Sequence, residues 1–218
     1  MIKTVLFDMD GVLLDTEKVY NLCWRKAGLE LGYDLNMERS LSIRSLNAVD
    51  GRKTFAEWFG SEKTYDLIRN RRKELMAEYF KTHSLEVKKG AEKTLRWLRD
   101  YGYKTSLVTA TRLELAIPQL KEAGLYGLLD QYVSAREVQH GKPHPDPYLY
   151  ACEKIGERPE DCYAVEDSPN GILSAFRAGC KTIMIPDLTQ PDAETEKYIT
   201  VCLNKIGELP DYLIKTQY

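Results

Sequence analysis

From about residue 88 to the C-terminus, short apolar runs alternate with segments of helical length, and this rhythm restricts the fold more than any other feature. Residues 104–108 read as a buried strand, preceded by a helix through Leu95, Trp97 and Leu98. Residues 131–134, 162–165 and 181–185 supply further strands, and 199–203 a last one. Strands separated by helices are what a parallel sheet requires, because each connection must cross back over the sheet before the next strand begins. The helix over residues 169–178 carries full punctuation, with Ser168 as N-cap, Pro169 in the first turn and Gly179 at its end. Residues 4–7 add a strand at the start of the chain. The expected fold class is therefore α/β, a doubly wound parallel-sheet (Rossmann-like) core with helices on both faces.

Between Thr16 and about Val87 the rhythm stops. Val19, Cys23, Ala27 and Leu31 recur every four residues, with Tyr20 and Trp24 beside them, which predicts an amphipathic helix ending near Gly32. Further helices are expected over residues 37–46, 52–59 and 62–80, the last with Ser61 as candidate cap, and no strand is expected here. This divides the chain into a catalytic core of residues 1–15 and 88–218 and an inserted helical cap domain over residues 16–87. Pro118 is expected to kink or delay the helix between Arg112 and Ala123.

Composition excludes several classes of function. With 31 basic and 33 acidic side chains the formal charge is −2, which argues against a broad nucleic-acid surface. No apolar stretch approaches a membrane span, and the N-terminus does not resemble a signal peptide. The five cysteines, Cys23, Cys152, Cys162, Cys180 and Cys202, are scattered without the spacing of a zinc site or redox dithiol. Buried, reduced thiols in a cytoplasmic protein are expected. Oligomeric state leaves no trace in the sequence.

The chemistry concentrates at the ends of the predicted strands, where open α/β sheets bind ligands. Phe7-Asp8-Met9-Asp10-Gly11-Val12 places two acids one residue apart after the first strand. Such a pair can divide phosphoryl transfer, Asp8 attacking phosphorus and Asp10 moving protons. A calcium loop starting at Asp8 would need an oxygen ligand at its fifth place and glutamate at its twelfth. Val12 and Val19 stand there. Thr109 and Ala110 follow another strand and offer a hydroxyl and backbone amides, Lys142 lies in the rigid loop Gly141-Lys142-Pro143-His144-Pro145, and Glu166-Asp167 precede a helix start. A carboxylate approaching a phosphate dianion at 4 Å meets about 4 kcal/mol of repulsion per charge pair at an effective dielectric near 20. Mg²⁺ on Asp8, Asp167 and Glu166, with the Lys142 ammonium, would offset it. Arg69-Asn70-Arg71-Arg72-Lys73 reads as a solvated helix face, with the alternative that one member reaches into the cleft to bind substrate phosphate, and Asp15 and Glu17 read as hinge or helix-start residues.

These four motifs, in this order, resemble those of the haloacid dehalogenase superfamily. The segments Val165-Glu166-Asp167-Ser168-Pro169-Asn170-Gly171-Ile172 and Gly141-Lys142-Pro143-His144-Pro145-Asp146 are similar to its branch of beta-phosphoglucomutase-like proteins and sugar-phosphate phosphatases. The resemblance implies Asp8 as nucleophile and Asp10 as acid/base. It implies Mg²⁺ held by Asp8, Glu166, Asp167 and the Asp10 carbonyl, with Thr109, Ala110 and Lys142 on the phosphoryl group. In the cap, Tyr20 stands where mutases of this branch carry a histidine, and Ser42-Ile43-Arg44-Ser45-Leu46-Asn47 replaces a glycine-centred loop. Tyr20, Trp24, Arg44 and Arg52 are the candidate substrate contacts there, Arg44 and Arg52 both being candidates for a phosphate-binding arginine. The expected function is Mg-dependent hydrolysis of a small phosphorylated metabolite, a sugar phosphate, through an aspartyl-phosphate. Three alternatives stand beside it: a phosphosugar mutase, a phospho-aspartate signalling switch, which would leave Asp10 and the cap unused, and a carbon–halogen dehalogenase, which would leave Asp10 and Glu166-Asp167 unexplained.

Overall fold

The computed structural model describes residues 2–216. In chain order its elements are β1 (Thr4–Phe7), α1 (Glu17–Glu30), α2 (Met37–Ser42), α3 (Ala48–Phe59), α4 (Lys63–Phe80), α5 (Ala91–Asp100), β2 (Lys104–Thr109), α6 (Leu113–Glu122), β3 (Gln131–Ser134), α7 (Asp146–Ile155), β4 (Cys162–Glu166), α8 (Pro169–Ala178), β5 (Lys181–Met184), β6 (Val201–Cys202) and α9 (Leu209–Lys215).

The strands form one sheet in the order β3-β2-β1-β4-β5-β6, and every neighbouring pair is parallel. The chain therefore starts mid-sheet, winds outward through β2 and β3, then returns to continue on the other side of β1. That reversal opens a crevice at the carboxyl ends of β1 and β4. Alternation along the strands sends side chains to two faces. Val5, Phe7, Leu107, Val165 and Ile183 join one apolar cluster with residues of α5, α6 and α9. Leu6, Val108, Val133 and Ala164 join another with Tyr148, Ala151 and Ala175.

Helices α1 to α4 bury a third cluster that draws only on their own segment, from Val19 to Met76. Phe55 is its centre, with the rings of Trp24, Trp58, Phe59 and Tyr65 at 5.8, 5.5, 5.6 and 5.2 Å. The two chain crossings into this unit run side by side. Asp15 N donates to Glu86 O at 2.8 Å, and Lys88 N to Leu13 O at 2.9 Å.

Several boundaries differ from the sequence expectation. Helix α2 stops at Ser42 because residues 43–46 turn, with Ser45 at a φ of 56°. Helix α3 begins at Ala48 rather than Arg52, because the Asn47 side chain accepts from Val49 N and Asp50 N and caps it early. Helix α6 begins at Leu113 and runs through Pro118, so the proline does not delay it. Cys202 is exposed, on the short outer strand, whereas the other four thiols are buried; all five are free. No helix among the described residues is long and apolar enough to cross a membrane.

Candidate active site

The carboxyl end of β1 continues the sheet by one bond, Asp8 N to Val165 O at 3.0 Å, before the chain turns. Gly11 makes that turn at a φ of 86° and lies so close to β4 that a Cβ there would sit 2.4 Å from Asp167 Oδ2. Gly171, in the first turn of α8, is constrained likewise. A Cβ would come within 2.0 Å of Glu166 Oε2. The motifs after β1 and β4 are thus pressed together, with glycine the residue that leaves room for the carboxylates.

Lys142 is the hub of this arrangement. Its ammonium donates to Asp8 Oδ1 at 2.6 Å, Glu166 Oε1 at 2.6 Å and Val108 O at 2.9 Å, which uses all three protons. The Tyr148 hydroxyl donates to the same Glu166 oxygen at 2.6 Å. Burial works to discharge Lys142, but Asp8 and Glu166 outweigh it and its pKa is raised. At Asp8 burial dominates: the carboxyl is held well above its ordinary range despite Lys142, with Glu166 and Asp10 adding to the rise. Asp10 is raised by burial as well, moderated by hydrogen bonds from the Thr16 hydroxyl to Oδ1 (2.5 Å) and the Thr111 hydroxyl to Oδ2 (3.2 Å). Both carboxylate oxygens are therefore fixed in direction.

Asp8, Glu166 and Asp167 each offer an oxygen within 4.8 Å of the others. Glu166 Oε2 and Asp167 Oδ1 are buried with no hydrogen-bond partner. Buried carboxylate oxygens without donors are costly unless a cation neutralises them. An all-oxygen set suits a hard divalent ion. The residues present fit such a group. The Asp10 side chain stands apart from this set, engaged with its two threonines.

Asp8 and Asp10 open onto a cavity of about 710 Å³ between the sheet edge and helices α1 and α4. This is the size range of small-molecule sites. Ala110 lines it, while Thr109 and Lys142 are buried behind its wall. Tyr20 and Trp24 line it from α1, and Trp24 also belongs to the helical core. Arg44 lines it too, but its charge is already engaged. Nη1 donates to Asp167 Oδ2 at 3.0 Å, and Nη2 to Asp167 O at 3.2 Å and the Thr189 hydroxyl at 2.8 Å. The loop that carries it is tied down, with Asn170 Nδ2 donating to Arg44 O at 2.9 Å and the Ser168 hydroxyl to Ser45 Oγ at 3.1 Å. Ser45 takes the left-handed conformation that a glycine would hold without strain, so the turn persists although the sequence lacks the glycine.

Two expectations are corrected here. Arg52 is not a cavity residue: Asp66 on the facing helix α4 takes Nε at 2.8 Å and Nη2 at 3.0 Å, and this half-buried pair turns the guanidinium away. The basic run on α4 is not wholly a solvated face, since Arg69, Arg72 and Lys73 line the cavity and Arg71 alone among these cations pairs outward, with Glu30 and Glu74. The 3- and 4-residue spacing of Arg69, Arg72, Lys73 and Met76 marks one helix face and was the available signal. Glu17, expected at a helix start, is indeed the first residue of α1 but is buried in the cavity wall. Burial raises its pKa to about 7, with Arg44 opposing and Asp10 and Asp187 reinforcing. Arg112 and Arg136 are among the lining residues that local sequence did not indicate.

The family model described as haloacid dehalogenase-like hydrolase matches residues 2–179. This chain belongs to that family. Among relatives of this haloacid dehalogenase-like hydrolase, hexitol phosphatase A of Escherichia coli is 30% identical over 184 residues, covering 84% of this chain and 82% of that protein. A phosphorylated carbohydrates phosphatase of Thermotoga maritima is 28% identical, covering 83% of each. A solved structure of beta-phosphoglucomutase from Clostridium difficile superposes with a TM-score of 0.83 over 100% of this chain and 97% of that one, at 20% identity. At that identity the likeness is one of fold.

Proposed function

We propose that this haloacid dehalogenase-like hydrolase is a magnesium-dependent phosphatase that hydrolyses a small phosphorylated metabolite, a sugar phosphate, through an aspartyl-phosphate on Asp8. The observation that carries this reading is the buried Asp8–Lys142–Glu166 arrangement, of which Asp8 opens beside Asp10 onto one cavity. Asp8, Glu166 and Asp167 would hold Mg²⁺, which when bound supplies positive charge to the phosphoryl oxygens.

The remaining steps belong to the chain's own side chains. Lys142 occupies Asp8 Oδ1, so Oδ2 is the oxygen available to attack phosphorus. As the bond from Oδ2 to phosphorus forms, the bond from phosphorus to the substrate oxygen breaks, and Asp10 donates a proton to that oxygen. Its raised pKa favours the protonated form this requires. Asp10 then takes a proton from water, whose oxygen attacks phosphorus, and the bond to Asp8 breaks to release phosphate. Thr109 Oγ accepts from Thr111 N at 3.0 Å, which leaves its own proton, with the Ala110 amide, to meet phosphoryl oxygens.

Residues 16–87 act as a cap over this site, the independent apolar cluster and paired crossings supporting a body that moves as a unit. The relatives named as phosphatases, one of them of phosphorylated carbohydrates, support water as acceptor and a sugar phosphate as substrate. A mutase must instead hold a second hydroxyl against the aspartyl-phosphate. Tyr20, whose phenol burial raises further above its ordinary range, is a poor proton carrier at the place of the mutase histidine.

The test is phosphate release from a panel of sugar phosphates, with acid-quench trapping of phosphoprotein. Asp8→Asn is expected to abolish both, Asp10→Asn to lose most turnover, and chelation to stop the reaction until Mg²⁺ is restored. Retention of more than about a tenth of kcat by Asp8→Asn would remove the nucleophile. Rapid conversion of beta-glucose 1-phosphate to glucose 6-phosphate, with little phosphate released, would establish the mutase instead.

A further inference from the structure

On the phosphatase reading, we infer that the substrate carries a second anionic group, a carboxylate or a further phosphate, at the end remote from the ester, received by Arg69, Arg72, Lys73 and Arg136. All four line the cavity into which Asp8 and Asp10 open. Three come from one face of α4, while Arg136 follows β3, so two separate parts of the chain converge on the same charge. Among the described residues none of the four is in an ion pair, although their neighbours are: Arg71 holds Glu30 and Glu74, and Arg52 holds Asp66. Arg72 Nε is buried without a hydrogen-bond partner.

Cations gathered without counter-ions destabilise one another and the fold that holds them. For three of the four, burial and neighbouring cations both oppose the charge. Burial lowers the pKa of Lys73, and Arg69, Arg72, Arg112 and Arg136 lower it further. Arg136 is lowered by burial and then by Arg69. Arg72 is lowered by burial and, after an opposing effect of Tyr20, by Arg69. Glu17 and Glu114 line the same cavity, and Asp10 and Glu17 interact electrostatically with Arg72, but among the described residues none of them forms an ion pair with the four cations. An anionic group on the ligand would relieve this repulsion, and a hydroxyl would not.

The span between the two ends is short. Tyr20 lies against Arg72, whose guanidinium is 4.8 Å from the ring centre, and its phenol also feels Asp10. Tyr20 and Asp10 line the same cavity, so the acid/base and the basic wall share one small space. The Arg72 guanidinium also lies 4.9 Å from the Trp24 ring centre, so these two rings support the basic wall. A space of that size suits a metabolite of a few carbons rather than a polymer.

The experiment compares phosphate release from esters matched in carbon skeleton: glycerol 3-phosphate against 3-phosphoglycerate, and a hexose 6-phosphate against its 1,6-bisphosphate. The anionic member of at least one pair is expected to show kcat/KM at least about tenfold higher, mainly through KM, and which pair responds distinguishes carboxylate from phosphate. Arg69→Gln and Arg136→Gln, made separately with folding checked by thermal melting, are expected to shrink that ratio. Equal or better turnover of both hydroxyl-ended esters overturns the inference and leaves the phosphatase standing. If no ester is turned over, the phosphatase reading falls and calorimetric titration with the same pairs decides: tighter binding of an anionic member supports the basic wall, and equal or weaker binding overturns it.

Discussion

Glu17 places a carboxylate where burial opposes its charge, and the consequence for stability has a definite sign. Its pKa is raised from an ordinary 4.5 to about 7, so the folded protein holds a proton that the unfolded chain has released between those values. The contribution is full below the ordinary value and is lost as pH rises through about 7. Glu17→Gln cannot ionise and escapes that loss. In chelator, the melting temperature of Glu17→Gln relative to the parent is expected to rise between pH 5 and pH 8. The ceiling is about 3 kcal/mol at about 1.4 kcal/mol per unit, or several degrees. A difference that stays flat across this range would show that the Glu17 charge is not opposed.

At the scale of elements, α8 tests how tightly β4 and its helix are joined. Glycine within a helix is ordinarily about 1 kcal/mol worse than alanine, so Gly171→Ala would normally stabilise. Here the new Cβ would meet Glu166 Oε2 at 2.0 Å, and the side chain or helix must give way. The substitution is expected to destabilise by about 1–3 kcal/mol in urea unfolding. It should also weaken Mg²⁺ binding measured by calorimetry, because Glu166 moves. A more stable variant would mean that the approach of α8 to Glu166 is loose. The same helix shows what local sequence conveys well: Ser168 accepts from Gly171 N at 3.2 Å, and Gly179 closes the helix at a φ of 93°. Its signals lie within a few residues of one another. The start of α3 is less legible, because its apolar repeat begins after Arg52 whereas the capping Asn47 lies a turn earlier.

Across the whole molecule, Arg44 is a charged contact between the proposed cap and the acidic site, beside the hydrogen bonds of Ser45 with Ser168 and of Asn47 with Lys142 O. Its guanidinium is buried against Asp167 and Thr189, and removing one partner of a buried pair commonly costs about 3–5 kcal/mol. Arg44→Ala is therefore expected to let residues 16–87 swing away from the core. Small-angle scattering of the metal-free protein should give a larger radius of gyration for the variant and faster proteolysis near the crossings at Asp15 and Glu86. Superimposable profiles would indicate that other contacts hold the cap and that Arg44 is only a local anchor.

The parallel sheet and the insertion after β1 were legible from the chain alone, as were Asp8, Asp10, Glu166 and Asp167 at or just past strand ends and Lys142 in the loop between β3 and α7. Strand alternation, caps and motif spacing are local properties, and in an open α/β sheet they fix which end carries chemistry. Tertiary structure decided which charges meet. Arg44 and Asp167 are far apart in the chain yet 3.0 Å apart in space. Arg52 was diverted by Asp66, and only the folded cap could show it. The convergence of Arg69, Arg72 and Lys73 with Arg136 depends on how α4 is placed against the segment after β3, which no residue adjacent in sequence records.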